Sequence, residues 1–452
     1  MRAHGSSAPQ GQCCVVHTRV ALALSVVQSV PASLFGPRIQ VHDSLSFGVK
    51  TSRKRVTRQG PGEFVVSIIN RVVLQEYQYT IGNFGPNMAT FEPGVAFACR
   101  RFVVTIHAND GLSGSYAPHF GATSQILAQV KQMAPTLIGI RATQRELVFE
   151  RLKLMFRHFD KAGIAVLDAA LWDLAGKHYG ASVAELLGGY RERLPVYAST
   201  TPGQKTPGGL DSVARYAEFA ETCLEHGITA FKIHSFFDGN ARTEIDIMSA
   251  VRKRVGDNMK LMTDPASSLP SFMDAVEVGK ACDDLGFFWY EDPYRDASSS
   301  AVAHKRLRDF IRTPMLIAEH IRGFEQKADF VLAGGTDIMH IDPELDGGIT
   351  GTMKLAHFCD AIGMEVQLHT AAPIHRHCMA AIPNTHFYEL GLVNPDRACN
   401  ALQPPIYADS YGDAIADVGA DGCVPVPTGP GLGVTYDWDK INAWETAKIV
   451  VE

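Results

Sequence analysis

Between residues 194 and 390 the chain passes eight times through one short pattern: an apolar run, a polar residue near its end, then a polar or amphipathic stretch. The runs are "LPVYAST" (194–200), "TAFKIHS" (229–235), "KLMTDP" (260–265), "FFWYEDP" (287–293), "MLIAEH" (315–320), "DIMHIDPE" (337–344), "EVQLHT" (365–370) and "HFYEL" (386–390). Between them lie segments such as "EIDIMSAVRKRVG" and "MDAVEVGKACDDLG", with apolar residues at helical spacing and Gly at the expected stop. Strands alternating with helices over eight units predict an α/β fold, a (β/α)-type barrel whose functional residues stand at the C-terminal strand ends.

That rule makes the strand ends informative. They carry Lys232 and His234 on the second strand, then Asp264, Glu291, Glu319, Asp342, His369 and Glu389 on the third to the eighth. An acid at a strand end ordinarily caps the following helix. Capping does not predict the same group at the same place on three adjacent strands, as with Asp264, Glu291 and Glu319. Three carboxylates at one mouth repel unless something positive lies among them. Oxygen-only ligation without interleaved Cys or His suits a hard cation, and Mg²⁺ is the expected cofactor.

Composition narrows the function classes. Residues 1–62 hold eight of the 42 Lys and Arg but one of the 48 Asp and Glu, which leaves the rest of the chain at −13. So acidic a body is a poor nucleic-acid binder. No run of about eighteen apolar residues exists to span a membrane. Nine cysteines without a C-x-x-C pair suggest no disulfide framework and fit reduced thiols in the cytoplasm. Residues 1–62 lack the patterning of a fold. Their Arg-rich, acid-poor content and the interrupted apolar stretch "VALALSVVQSVPAS" fit a signal or transit peptide or an over-extended start, and the last is preferred.

In order along the chain, "AVLDAALWDLAGKHYGASVAELLGG", "TDPA", "YEDP", "IAEH", "DGGITG" and "QLHT" resemble the enolase superfamily, and within it the mandelate racemase and muconate lactonizing enzyme group. The resemblance covers residues 63 to about 440. It implies a (β/α)7β barrel at 161–402, an α+β capping domain at 63–160, and a segment, 403–452, that returns to the cap. It also implies removal of a proton α to a carboxylate through an enediolate, by a Lys or His base beside Mg²⁺. His369 is the expected base, oriented by Asp342. Lys232 matches the first lysine of a Lys-x-Lys motif, which contacts the substrate carboxylate, and Glu389 matches an eighth-strand acid that hydrogen-bonds that carboxylate when protonated. His234 departs from the pattern, standing where many relatives have the second lysine; it shares the inward face with Lys232 and serves either as a second acid/base or only to orient substrate.

The expected reaction is dehydration of a sugar acid to a 2-keto-3-deoxy acid by a homo-oligomeric enzyme. The alternative is a racemase, epimerase or cycloisomerase acting on a similar carboxylate. A Schiff-base aldolase using Lys232 would not need three metal carboxylates, and a silent binding protein would not need the His–Asp dyad. "GNFGPNMATFEPG" (82–94) has the content of a lid loop, and "SGSYAPHFG", with Tyr116 and His119, is a second candidate specificity loop. "GPGLGV" (429–434) is not followed by a helical pattern and is no phosphate cradle.

Overall fold

The computed structural model describes residues 66–81, 96–203, 209–294, 297–395 and 403–452. The N-terminal extension and the 82–94 loop lie outside these residues. Three strands, β1 (Ile69–Ile81), β2 (Phe97–Ala108) and β3 (Ser113–Tyr116), form an antiparallel meander, followed by helices at Ser124–Met133, Arg145–Met155 and Gly163–Tyr179. Eight strands then follow in parallel: β4 (Arg193–Thr200), β5 (Ala230–Ile233), β6 (Lys260–Thr263), β7 (Trp289–Glu291), β8 (Met315–Ile317), β9 (Ile338–Ile341), β10 (Glu365–Leu368) and β11 (Tyr388–Val393). Their order is β10-β9-β8-β7-β6-β5-β4-β11, and one helix crosses between each consecutive pair. This is the (β/α)7β barrel, with all eight strands where the sequence places them. The crossover helices Ala241–Val255 and Phe272–Leu285 stop at Gly256 and Gly286, both at positive φ, where a side chain would be strained.

One side-chain bond and one backbone bond link β10 to the segment that leads into β11. Gln367 Nε2 donates to Phe387 O at 2.6 Å, and Val366 N to Asn384 O at 2.8 Å. Two short strands remain, β12 (Cys423–Pro425), antiparallel to β4, and β13 (Glu445–Val451), which pairs antiparallel with β1 from Val72↔Val451 to Tyr77↔Glu445. The sheet of β1–β3 is thereby completed by the end of the chain.

"GPGLGV" takes part in packing. Gly431 approaches the helix Gly163–Tyr179 so closely that a Cβ on Gly176 would meet its Cα at 2.4 Å, while Leu432 N donates to Asp173 Oδ1 at 2.9 Å. The six cysteines among the described residues are all free thiols. No helix among those residues is long and apolar enough to cross a membrane.

Candidate active site

Strand alternation stacks the barrel interior in tiers. Tyr197, Ala230, Met262, Trp289, Leu316, Ile338 and Phe387, one from each of seven strands or strand ends, form an apolar floor. Two residues further along, the same strands present Ser199, Lys232, Asp264, Glu291, His340 and Glu389, all buried. On β8 the alternation breaks at Ala318, whose φ of 98° turns the chain so that Glu319 takes the equivalent place. Above this tier stand His234, Asp342 and His369.

Lys232 lies among three carboxylates. Its Nζ is 2.8 Å from Glu291 Oε1, 3.2 Å from Glu389 Oε1 and 3.6 Å from Asp264 Oδ2. Burial alone would discharge it, but Glu291 and Glu389 outweigh burial and hold the ammonium well above the usual lysine range. Burial likewise works against Glu389, yet Lys232 and His369 pull its carboxyl down to about 2. Glu389 therefore stands as a carboxylate, accepting from Thr370 N, and cannot donate while Lys232 faces it.

His234 is tied at both ring nitrogens. Nδ1 is 2.6 Å from Thr200 O and Nε2 is 2.8 Å from Asp264 Oδ2. Asp264 does not cap the next helix, which begins at Phe272 with Ser271 as its cap. Its Oδ1 accepts from Ala266 N at 2.7 Å, and its Oδ2 faces His234 and Lys232.

Across the mouth, His369 Nδ1 is 2.8 Å from Asp342 Oδ2 and its Nε2 is 3.3 Å from Glu319 Oε1. Burial disfavours the charged ring, but Glu319 and Asp342 outweigh it and raise His369 to about 9. The other oxygen of Asp342 accepts from Glu344 N at 2.7 Å, so the dyad's acid is fixed before it orients the ring.

Of the three expected metal ligands the structure brings Glu291 and Glu319 together with His340, one donor atom from each lying within 4.8 Å of the others. Asp264 borders this cluster from the Lys232 side. Asp292 and His320 form a second group around Glu319. Asp292 is fully buried, 3.1 Å from His320 Nε2, and burial pushes it up to about 7. Sequence reasoning missed His340, although it stands two residues before Asp342 on the same strand and so on the same face, the relation that pairs Lys232 with His234.

Tyr116 and His119 are buried and hydrogen-bonded to neighbouring segments of the fold. Glu344 receives the Tyr116 hydroxyl, His119 N at 2.7 Å and Gly121 N at 2.6 Å. The His119 ring is buried between Ala371 O at 2.9 Å and the Tyr407 hydroxyl at 2.7 Å. The loop instead sets Phe120 edge-on against His369, with ring centroids 4.9 Å apart.

A (β/α)7β barrel whose mouth pairs a His–Asp dyad with a buried lysine and clustered carboxylates belongs to the class of enzymes that ionise carbon acids. Residues 215–440 match the family described as enolase C-terminal domain-like, and residues 96–188 match mandelate racemase/muconate lactonizing enzyme, N-terminal domain. The chain belongs to that group of the enolase superfamily. It is 27% identical over 289 residues to L-talarate/galactarate dehydratase of Salmonella typhimurium, covering 62% of this chain and 70% of that one. It is 28% identical over 357 residues to D-galactarolactone cycloisomerase of Agrobacterium fabrum, covering 75% and 90%. The crystal structure of D-glucarate dehydratase from Agrobacterium tumefaciens, complexed with magnesium, has a TM-score of 0.72 at 28% identity, covering 84% of this chain and 99% of that one.

Proposed function

We propose that this protein is a Mg²⁺-dependent sugar-acid dehydratase, which removes the proton α to a carboxylate and expels the neighbouring hydroxyl as water to leave a 2-keto-3-deoxy acid. The observation that carries the reading is the Asp342–His369 dyad beside Glu319, opposite a Lys232 that burial has not discharged. Glu291 and Glu319, with Asp264, would hold the cation, and the buried nitrogens of His340 beside them, without a hydrogen-bond partner among the described residues, fit a site that receives a positive group. When bound, the cation supplies electrostatic stabilisation for negative charge building on the substrate carboxylate.

The remaining work falls to side chains. His369 would take the α-proton at Nε2 from its neutral form, which a cation held by Glu319 would favour by offsetting the charge that raises the ring, and Asp342 fixes the opposite nitrogen and so the direction of Nε2. Lys232, a fixed cation between strands, binds the carboxylate as its charge grows. His234 holds Asp264 in place and stands on the opposite side from His369, where an acid is needed for a departing hydroxyl or for return of a proton to the other face. Glu389, kept ionised by Lys232, holds that lysine in place rather than donating to the carboxylate.

The names of the dehydratase relatives support elimination. The match to a cycloisomerase over 75% of the chain favours, as the second reading, an isomerisation that begins with the same proton transfer. The test is keto-acid release over a panel of mono- and diacid sugars with Mg²⁺ and with excess chelator. Turnover that survives chelation after dialysis contradicts the metal assignment.

A further inference from the structure

In the turn after β5, Phe237 stands at a φ of 53°. That is the left-handed region, which a bulky side chain occupies only where its surroundings impose it. The turn is tied to the helix that follows. Ser235 Oγ accepts from Phe237 N at 3.4 Å and donates to Glu244 Oε1, in the first turn of Ala241–Val255. Glu244 is buried, and its Oε2 has no hydrogen-bond partner among the described residues. Burial pushes its carboxyl up to about 8, so the neutral acid is its main form near neutral pH.

The turn sets the Phe237 ring edge-on to His234, with centroids 5.8 Å apart and planes at 86°. Phe236 meets Tyr216 in the same way at 6.0 Å, and the Tyr216 hydroxyl donates to His234 O at 2.6 Å. Thr200 Oγ1 accepts from His234 N at 2.9 Å. The backbone of His234 is thereby fixed on both sides, and Phe237 meets what is left, the ring. A carbonyl only accepts, so the bond from Nδ1 to Thr200 O puts a proton on Nδ1 and turns Nε2 to Asp264.

We infer that Phe237 is a positioning residue, whose ring, held by the Glu244–Ser235 clip, confines the His234 imidazole to this one orientation. The strained turn persists because a relaxed φ would carry the ring away from the imidazole. The effect on turnover rests on the reading of His234 as the acid opposite His369; the contact itself does not. With His234 loosened, His369 still takes the α-proton, but more of the ionised substrate regains a proton at carbon and less of it loses its hydroxyl as water.

The experiment uses the full chain with Mg²⁺ and the variant Phe237→Gly, which removes the ring and relieves the positive φ. The first readout is solvent exchange of the His234 Nδ1 proton, followed by nuclear magnetic resonance on protein labelled with ¹⁵N-histidine, without substrate. Exchange should be at least about tenfold faster than in the wild type in Phe237→Gly and in Glu244→Ala, and unchanged in Glu244→Gln, which keeps an acceptor for Ser235. The second is the ratio of α-deuterium in recovered sugar acid to keto acid formed in D₂O, which should rise at least about tenfold in Phe237→Gly. Wild-type proton exchange in Phe237→Gly overturns the inference, and so does an equal fall of deuterium uptake and keto acid. If Phe237→Gly does not fold, the Glu244 pair decides, and equal proton exchange in Glu244→Ala and Glu244→Gln overturns it. A wild type that yields no keto acid overturns the dehydratase reading and leaves the proton-exchange readout to decide this inference alone.

Discussion

In the proposed mechanism Asp342 and His369 act as one unit, because the 2.8 Å bond between them sets which imidazole nitrogen would take a proton. His369→Asn should abolish α-proton exchange, and Asp342→Asn should reduce the same step by about 10²–10⁴-fold through loss of orientation. Both are measured as deuterium uptake at the α-carbon. A fully active Asp342→Asn would reduce Asp342 to an acid that organises the backbone at Glu344. His234→Asn should slow turnover while leaving one cation bound, because its contact is with the Asp264 oxygen that also faces Lys232. Loss of cation binding in that variant would place His234 among the ligands.

At the scale of elements, Glu344 joins the strand end after β9 to the loop after β3. Its carboxylate receives three donors, and Glu344→Gln takes the charged acceptor from all three and turns an amide N–H toward at least one of them. The loop that sets Phe120 against His369 should loosen, raising KM with a smaller fall in kcat and lowering kcat/KM by about tenfold. Unchanged kinetics would show that Phe120 is held in place by other contacts. The sequence made the strands legible because each is an apolar run of period two ending on a polar residue. It made Lys232 and His234 legible as an inward pair by the same rule. His340 obeys that rule and was overlooked because Asp342, the chemically richer residue, follows two positions later. The burial of Tyr116 and His119 was not legible for a different reason: their partner acid lies 228 residues from Tyr116, and no local pattern announces such a partner. Nor does spacing reveal that Asp264 turns toward Lys232 and His234, since that depends on side-chain contacts across two strands.

For the whole molecule, two buried histidines tie distant segments and contribute to the response to acid. His119 bridges Ala371 and Tyr407, and His377 accepts from Ala184 N at 3.1 Å while facing Leu432 O at 3.0 Å. Burial lowers His119 to about 3 and His377 to about 4, so both stay neutral in the folded chain. Unfolded, each would titrate near 6.5, which means the unfolded chain binds more protons between that pH and the lowered values. Stability contributed by the neutral rings is therefore present above about pH 6.5 and is lost as pH falls toward 4 and then 3. The melting temperature should drop over this window, less steeply in His119→Gln than in the wild type. Equal slopes would show that His119 does not carry the acid response.

The central claim is that His369 removes an α-proton and that elimination follows. It is tested most directly by incubating the enzyme and Mg²⁺ with the sugar-acid panel in D₂O and recording water loss and deuterium together. The account predicts a 2-keto-3-deoxy acid from at least one substrate, with neither product nor exchange in His369→Asn. Deuterium incorporation with inversion at the α-carbon and no keto product would contradict it.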